Sequence, residues 1–260
     1  MRFSPISFEK WHALGNSYLL LERSELGRPL EPEQARRLCD SREGIGADGV
    51  LEVVSVEGAR AEIAIWNPDG SAAEFSGNGT RIAAAWLMDR SGAVAVSVGV
   101  SGRDYEAMSS GEEIAIEIGH VQVSNPESIV VDGETIEVTP VSVGNPHVVI
   151  RRDADRDELL RLGPLLERHE RFPERTNVQL IRVDGAHDLS ALVWERGAGE
   201  TSASGSSAVA VAAAAIANGW CETPITVHLP GGDLKVELDH GGSATLTGPA
   251  ERICSGETAG

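Results

Sequence analysis

The stretch NPDGSAAEFSGNGTR, residues 67–81, decides the fold, because its plan is met again as ERGAGETSASGSSA, residues 195–208. Ser76-Gly77 opens the apolar run IAAAWLM and Ser204-Gly205 opens VAVAAAAIA, so each copy reads as a small-residue turn feeding the start of an alanine-rich helix. Asn67 lies nine residues before Ser76 and Glu195 nine before Ser204, and a tryptophan, Trp66 or Trp194, precedes each of them. Ser204 follows Ser76 by 128 positions.

Other landmarks keep nearly the same offset. Gly15-Asn16 returns as Gly144-Asn145, 129 positions on, each followed by a strand-like run. VLEVVSVEGARAEIAIW (50–66) lays over VQLIRVDGAHDLSALVW (178–194), both reading strand, turn at Gly-Ala, strand. The chain therefore reads as an internal duplication, the kind of repeat that fixes architecture before any single element does.

A length of 260 residues suits two domains of ordinary size, and 41% hydrophobic against 24% charged residues is the balance of a globular protein with a Val, Ile, Leu and Ala core. The longest apolar run, AVAVAAAAIA from Ala208, is about half the ~20 residues of a spanning helix, so no membrane association is expected. The first residues, MRFSPISFEKWH, lack the apolar segment of a signal peptide, which gives a cytoplasmic expectation. A net charge of -18 argues against a nucleic-acid partner, since phosphate binding needs clustered Lys and Arg. Cys39, Cys221 and Cys254 have no metal-ligand spacing and read as small packing residues, and no metal site is expected.

Residues 5–22 alternate as strand, turn at Leu14-Gly15-Asn16, strand. EPEQARRLCD (31–40) reads as a short helix with an early proline. GIGADG (44–49) formally matches a dinucleotide fingerprint, but it runs into VLEVVSV, a strand, where the fingerprint must open a helix; its glycines read as a turn or close backbone approach. The first central helix is expected from about Gly79 to Ser91-Gly92, followed by a meander of short strands. SNPES (124–128) is the expected boundary, giving domains 1–123 and 124–247, with the tail 248–260 crossing back to the first. The second half repeats the order, with a helix at about 155–169.

A helix N-terminus offers unpaired N–H groups and partial positive charge, and so binds carboxylates. Two such termini would place Ser76 and Ser204 on either side of the atom beside a bound carboxylate. Inverting an α-carbon needs one group to remove a proton and another to return it on the opposite face, and a duplicated fold supplies such a pair.

At these residues the chain resembles the diaminopimelate epimerases, cofactor-independent relatives of amino-acid racemases, proline racemases and phenazine-biosynthesis isomerases. The matching pieces are KWHALGN (10–16), GIGADG, NPDGS, SGNGTR, GNPH (144–147), ERTN (174–177) and ERGAGET (195–201), spread over nearly the whole chain. The resemblance implies an α+β fold of two similar domains, each a rolled, barrel-like, mostly antiparallel sheet around a central helix, with the active site in the cleft between them and no cofactor. It implies that Gly77, Asn78, Gly205 and Ser206 hold the reacting carboxylate, and that Asn16, Asn67, Asn145, Asn177, Glu195 and Arg196 bind the remaining amino and carboxylate groups. Arg196 suits a distal carboxylate bidentately, unless it is spent on an ion pair with Glu195 or another acid. His147 is expected beside a catalytic side chain or, alternatively, as a capped core histidine. The partner so implied is a small amino-acid substrate, and a homodimer is a further expectation by analogy.

One departure matters. In that family the two acid/base groups are cysteines; here both are serine. A thiol at a helix N-terminus reaches the thiolate near neutrality, whereas a serine hydroxyl must borrow a base. His147 and Glu195 are the auxiliary bases the sequence offers. Three explanations stand: serines assisted by neighbours, a different reaction or binding alone, or a deliberate pair of Cys-to-Ser replacements. Ile82 and Ser206-Ser207 also differ from the usual family residues, which favours natural divergence over replacement. A serine hydrolase built on Ser204 and His147 is disfavoured, because the GxSxG elbow is missing and the duplication would have no role.

Overall fold

The computed structural model describes residues 5–258. The chain divides into two compact units, one running to Ile116 and resuming at Gly248, the other spanning Glu117–Thr247.

In the first unit β1 (Ile6–Ala13) and β2 (Asn16–Glu22) form a hairpin over Leu14 and Gly15, both in the left-handed region at φ 54° and 82°. Glycine takes up that region without steric cost, whereas Leu14 is a bulky side chain held in it. The short α1 (Arg23–Leu26) and α2 (Pro32–Cys39) carry the chain to β3 (Val50–Glu57), which pairs parallel with β2. α2 starts with proline in its first turn behind a reciprocal Glu31/Gln34 capping box. β4 (Arg60–Trp66) returns antiparallel and β5 (Ala72–Ala73) pairs with its end. The long α3 (Gly77–Ser91) leads to β6 (Ala95–Val100), parallel to β4, then β7 (Arg103–Ser110) and β8 (Glu113–His120).

The second unit begins with β9 (Gln122–Val123) and β10 (Glu127–Val131), both pairing with β11 (Glu134–Ser142). β12 (Pro146–Arg151) is antiparallel to β11, and α4 (Arg156–Glu167) crosses to β13 (Asn177–Val183), parallel to β12. β14 (Asp188–Glu195), β15 (Gly199–Thr201), α5 (Gly205–Ala217), β16 (Ile225–Leu229), β17 (Gly232–Leu238) and β18 (Ser243–Gly248) follow in the pattern of the first unit, down to the parallel pairing of β14 with β16. β19 (Glu251–Thr258) then pairs antiparallel with β1. The shared order of antiparallel and parallel pairings is the duplication read from the sequence, and the fold is α+β, dominated by sheet.

α3 buries eleven of its fifteen residues and α5 ten of its thirteen, so each is enclosed on every side, unlike a surface helix with one apolar stripe. Alanine suits that place, since small side chains let the surrounding strands approach. α4 has the one-sided pattern instead, with Leu159, Leu162, Gly163 and Leu166 buried. A Cβ on Gly163 would lie 2.7 Å from the Trp194 ring, so glycine here permits a helix–strand contact that alanine would block.

Three expectations differ from the structure. α3 starts at Gly77, capped by Ser76, rather than near Gly79. The division between units falls inside β8, between Ile116 and Glu117, rather than at 124–128. Cys39 and Cys221 are buried, but Cys254 is exposed on β19 and is not a core packing residue. Among the described residues no helix is long and apolar enough to cross a membrane, and no group of three or more His, Cys, Asp or Glu side chains is placed to hold a metal ion.

Candidate functional site

Both repeated turns end in a helix cap of the same shape. Ser76 caps α3 at φ -143°, ψ 117°, and Ser204 caps α5 at φ -142°, ψ 120°. Neither helix carries an acidic residue in its first turn, so the N–H groups of Gly77, Asn78 and of Gly205, Ser206 meet no competing carboxylate of their own helix. The two serines nevertheless differ. Ser76 Oγ accepts from Gly79 N at 3.0 Å and lies 3.0 Å from Tyr18 Oη, whereas Ser204 is buried and makes no side-chain capping bond.

In the first unit the polar groups are joined in series. Asn78 Nδ2 donates to Asn16 Oδ1 at 3.1 Å, and Arg81 Nη2 donates to Asn78 Oδ1 at 2.8 Å. Arg81 is fully buried one turn into α3, and its Nε and Nη1 have no hydrogen-bond partner among the described residues. Burial pulls its pKa down to about 10, with Glu113 opposing, so it stays charged at neutral pH and adds a whole cation to the helix head. Asn67 stands apart from this series. Its Nδ2 donates to Ser71 Oγ at 3.0 Å, and its backbone closes the same short turn.

In the second unit Asn145, His147, Gln179 and Ser207 form another series. His147 Nε2 is 2.9 Å from Asn145 Oδ1, while Gln179 Nε2 lies 3.0 Å from His147 Nδ1 and 3.0 Å from Ser207 Oγ. With Nδ1 accepting from the glutamine, the ring proton sits on Nε2 and is donated to Asn145. Burial, with the nearby Arg196 charge, lowers the His147 pKa to about 3. The imidazole is neutral with both nitrogens occupied, which suits an orienting group and not a free base.

Glu195 and Arg196 sit at the tight turn between β14 and β15, whose pairing runs to Glu195 opposite Gly199. Asn177 holds this turn: its Oδ1 accepts from Arg196 N at 3.0 Å, and its Nδ2 donates to Pro146 O at 2.9 Å. The guanidinium of Arg196 donates to the backbone carbonyl of Glu174 at 3.2 Å and, among the described residues, enters no ion pair, which removes the alternative that it is spent on Glu195. Burial raises the Glu195 pKa above the usual carboxylate value, making it a stronger base than an exposed glutamate.

Sequence reasoning missed four members of these networks: Tyr18, Arg81, Gln179 and Ser207. Tyr18 stands three residues after Gly15, as His147 stands three after Gly144, so the duplication itself pairs a phenol with an imidazole. That alignment was the available signal.

Solved structures share the fold: a phenazine biosynthesis protein of the PhzF family from Bacillus anthracis matches with a TM-score of 0.75 at 14% identity, covering 98% of this chain and 99% of that one. A hydroxyproline epimerase from Agrobacterium vitis matches at the same TM-score and identity, covering 99% and 92%. The family model for diaminopimelate epimerase matches residues 8–129 and 139–253. Diaminopimelate epimerases of Magnetococcus marinus and Synechocystis sp. are each 36% identical, over 97% of this chain and 97% and 98% of those relatives. The chain belongs to the diaminopimelate epimerase family.

Proposed function

We propose that the chain is an amino-acid epimerase interconverting LL- and meso-2,6-diaminopimelate by removing and returning the α-proton without a cofactor. The observation that carries this reading is the pair of serine caps with matching backbone geometry on acid-free helix heads, in a chain of this family. Gly77, Asn78, Gly205 and Ser206 take the reacting carboxylate, and the guanidinium of Arg196, which enters no ion pair among the described residues, takes the distal one. Ser76 and Ser204 carry the proton at their respective helix heads. Glu195, with its raised pKa, is the base for the second unit, and neutral His147 orients Asn145 instead of moving a proton. Family membership also supports a small-molecule enzyme, and a cytoplasmic location is part of this proposal.

The test is exchange of the α-proton with solvent deuterium, read by NMR on LL- and meso-diaminopimelate, for the chain as it stands and for its Ser76→Cys, Ser204→Cys double variant. Exchange with LL/meso interconversion supports the reading, with a large gain in the double variant. Absence of exchange in both sinks it. A second reading, a relative that keeps the pocket and only binds, is favoured by serine at both acid/base positions; calorimetric binding of diaminopimelate without exchange would establish it.

A further inference from the structure

A serine that moves a proton needs a partner more acidic than itself, and among the hydrogen bonds of the two caps one has this character. Tyr18 Oη lies 3.0 Å from Ser76 Oγ across 58 residues of sequence. A hydroxyl has one proton and two lone pairs. Gly79 N donates to one Ser76 lone pair, and between Tyr18 Oη and Ser76 Oγ either hydroxyl can donate, so a proton can pass between them in both directions.

The surroundings of Tyr18 are built to hold it there. Tyr18 is buried in β2, where Leu19 N donates to Gly49 O and Asp48 N to Ser17 O. Asp48 Oδ2 accepts from Ser17 N at 2.7 Å and Ser17 Oγ at 3.0 Å, fixing the residue just before the tyrosine. A Cβ on Gly49 would fall 2.5 Å from Tyr18 Cε1, so the last glycine of GIGADG is the floor on which the ring lies. The motif rejected as a nucleotide fingerprint thus has a use: it seats the phenol against Ser76. In the second unit the equivalent His147 is tied to Asn145 and Gln179 instead, and Ser204 makes no capping bond.

We propose that Tyr18 is the proton partner of Ser76, a positioning residue that makes a serine serviceable where a thiol would act alone. The inference rests on the epimerase reading above. When the α-carbanion is quenched, the Ser76 O–H proton goes to carbon and the carbanion's electron pair forms the new C–H bond; the Tyr18 phenolic proton passes to Ser76 Oγ, and the phenolate regains a proton from solvent water. In the opposite direction the Tyr18 phenol first loses its proton to solvent water, and the phenolate then accepts the Ser76 proton while Ser76 Oγ takes the α-proton, leaving the C–H electron pair on carbon. A phenol ionises near pH ~10, within reach of an enzyme's working range, whereas an aliphatic hydroxyl alone is not comparably acidic.

The test is a double-mutant cycle of Tyr18→Phe with Ser76→Cys in the full chain, read by α-proton exchange on diaminopimelate, with thermal unfolding to confirm that each variant is folded. With Ser76 present, Tyr18→Phe is expected to lower the exchange kcat about 10²-fold with KM changed by less than about twofold. With Ser76→Cys, the thiol supplies its own acid and the same change is expected to lose less than about threefold. Equal losses in both backgrounds would mean that the ring only packs, and no loss with Ser76 present would mean that the phenol carries no proton; either overturns the inference while the epimerase reading stands. A native chain with no exchange at all removes that reading and the relay with it.

Discussion

Glu167 and Trp194 are joined by a 2.8 Å hydrogen bond from the indole Nε1 to the buried carboxylate, and the other carboxylate oxygen accepts from Gly197 N at 3.1 Å. One side chain at the end of α4 thereby grips both ends of the turn that presents Glu195 and Arg196. Removing it leaves buried donors unpaired. Glu167→Ala is expected to destabilise the chain by about 2–3 kcal/mol and to raise KM through the loosened Arg196, while Glu167→Gln, which keeps one acceptor, loses about 1 kcal/mol. Thermal unfolding and steady-state kinetics on the two variants check this, and unchanged kinetics in Glu167→Ala would refute the grip.

The first unit holds its tryptophan in the same manner through Glu52, which is fully buried and accepts from Trp66 Nε1 at 3.1 Å, Arg23 Nε at 2.7 Å and Leu30 N at 2.9 Å. Burial pushes this carboxyl up, but the bonds from Arg23, Leu30 and Trp66 outweigh it and hold the pKa below the usual value. A carboxylate whose folded pKa is depressed contributes stability above its unfolded value of about 4.3, and that contribution is lost as the pH falls through the lower folded value. Glu52→Gln is expected to be less stable at neutral pH and to lose less on acidification. Denaturant midpoints from pH 3 to pH 7 would show the two curves converging on the acid side; parallel curves would contradict the assignment.

His147 gives a pH signature of its own. Its folded pKa of about 3 lies well below the ordinary 6.5, so stability is full above pH ~6.5 and is lost progressively as the pH falls toward the folded value. Its ring resonances are expected not to titrate between pH 5 and pH 8, and the kcat profile to lack an inflection that His147→Gln removes. NMR of the imidazole protons decides the matter, since a shift midpoint near 6.5 would restore it as a candidate base.

Arg81 separates stability from activity. A buried guanidinium with two unpaired nitrogens stabilises little, and an apolar side chain of similar length is expected to be tolerated. Arg81→Met should unfold within about 1 kcal/mol of the native chain or later, yet exchange the α-proton about tenfold more slowly, because Asn78 loses the donor that aims it. A variant that is as active as the native chain would show that Arg81 plays no part in holding Asn78.

The duplication, the enclosed helices and the two serine caps were legible because each leaves a local mark: a fixed offset, an apolar run, a small residue before it. The grip on the tryptophans was not. Trp66 and Trp194 are equivalent positions, but Glu52 comes from β3 and Glu167 from α4, so no comparison of the halves finds them. Tyr18 was hidden for a related reason. Its tie to Ser76 joins β2 to the cap of α3 across 58 positions, which leaves no local mark.

The pairing of β19 with β1 carries a consequence for the order of biosynthesis. The second unit is one uninterrupted segment and has all its strands once Thr247 has left the ribosome. The first unit is begun earlier but finished later, waiting with the edge of β1 bare until the strand after Gly248 arrives. Emerging first, it is the last to be completed.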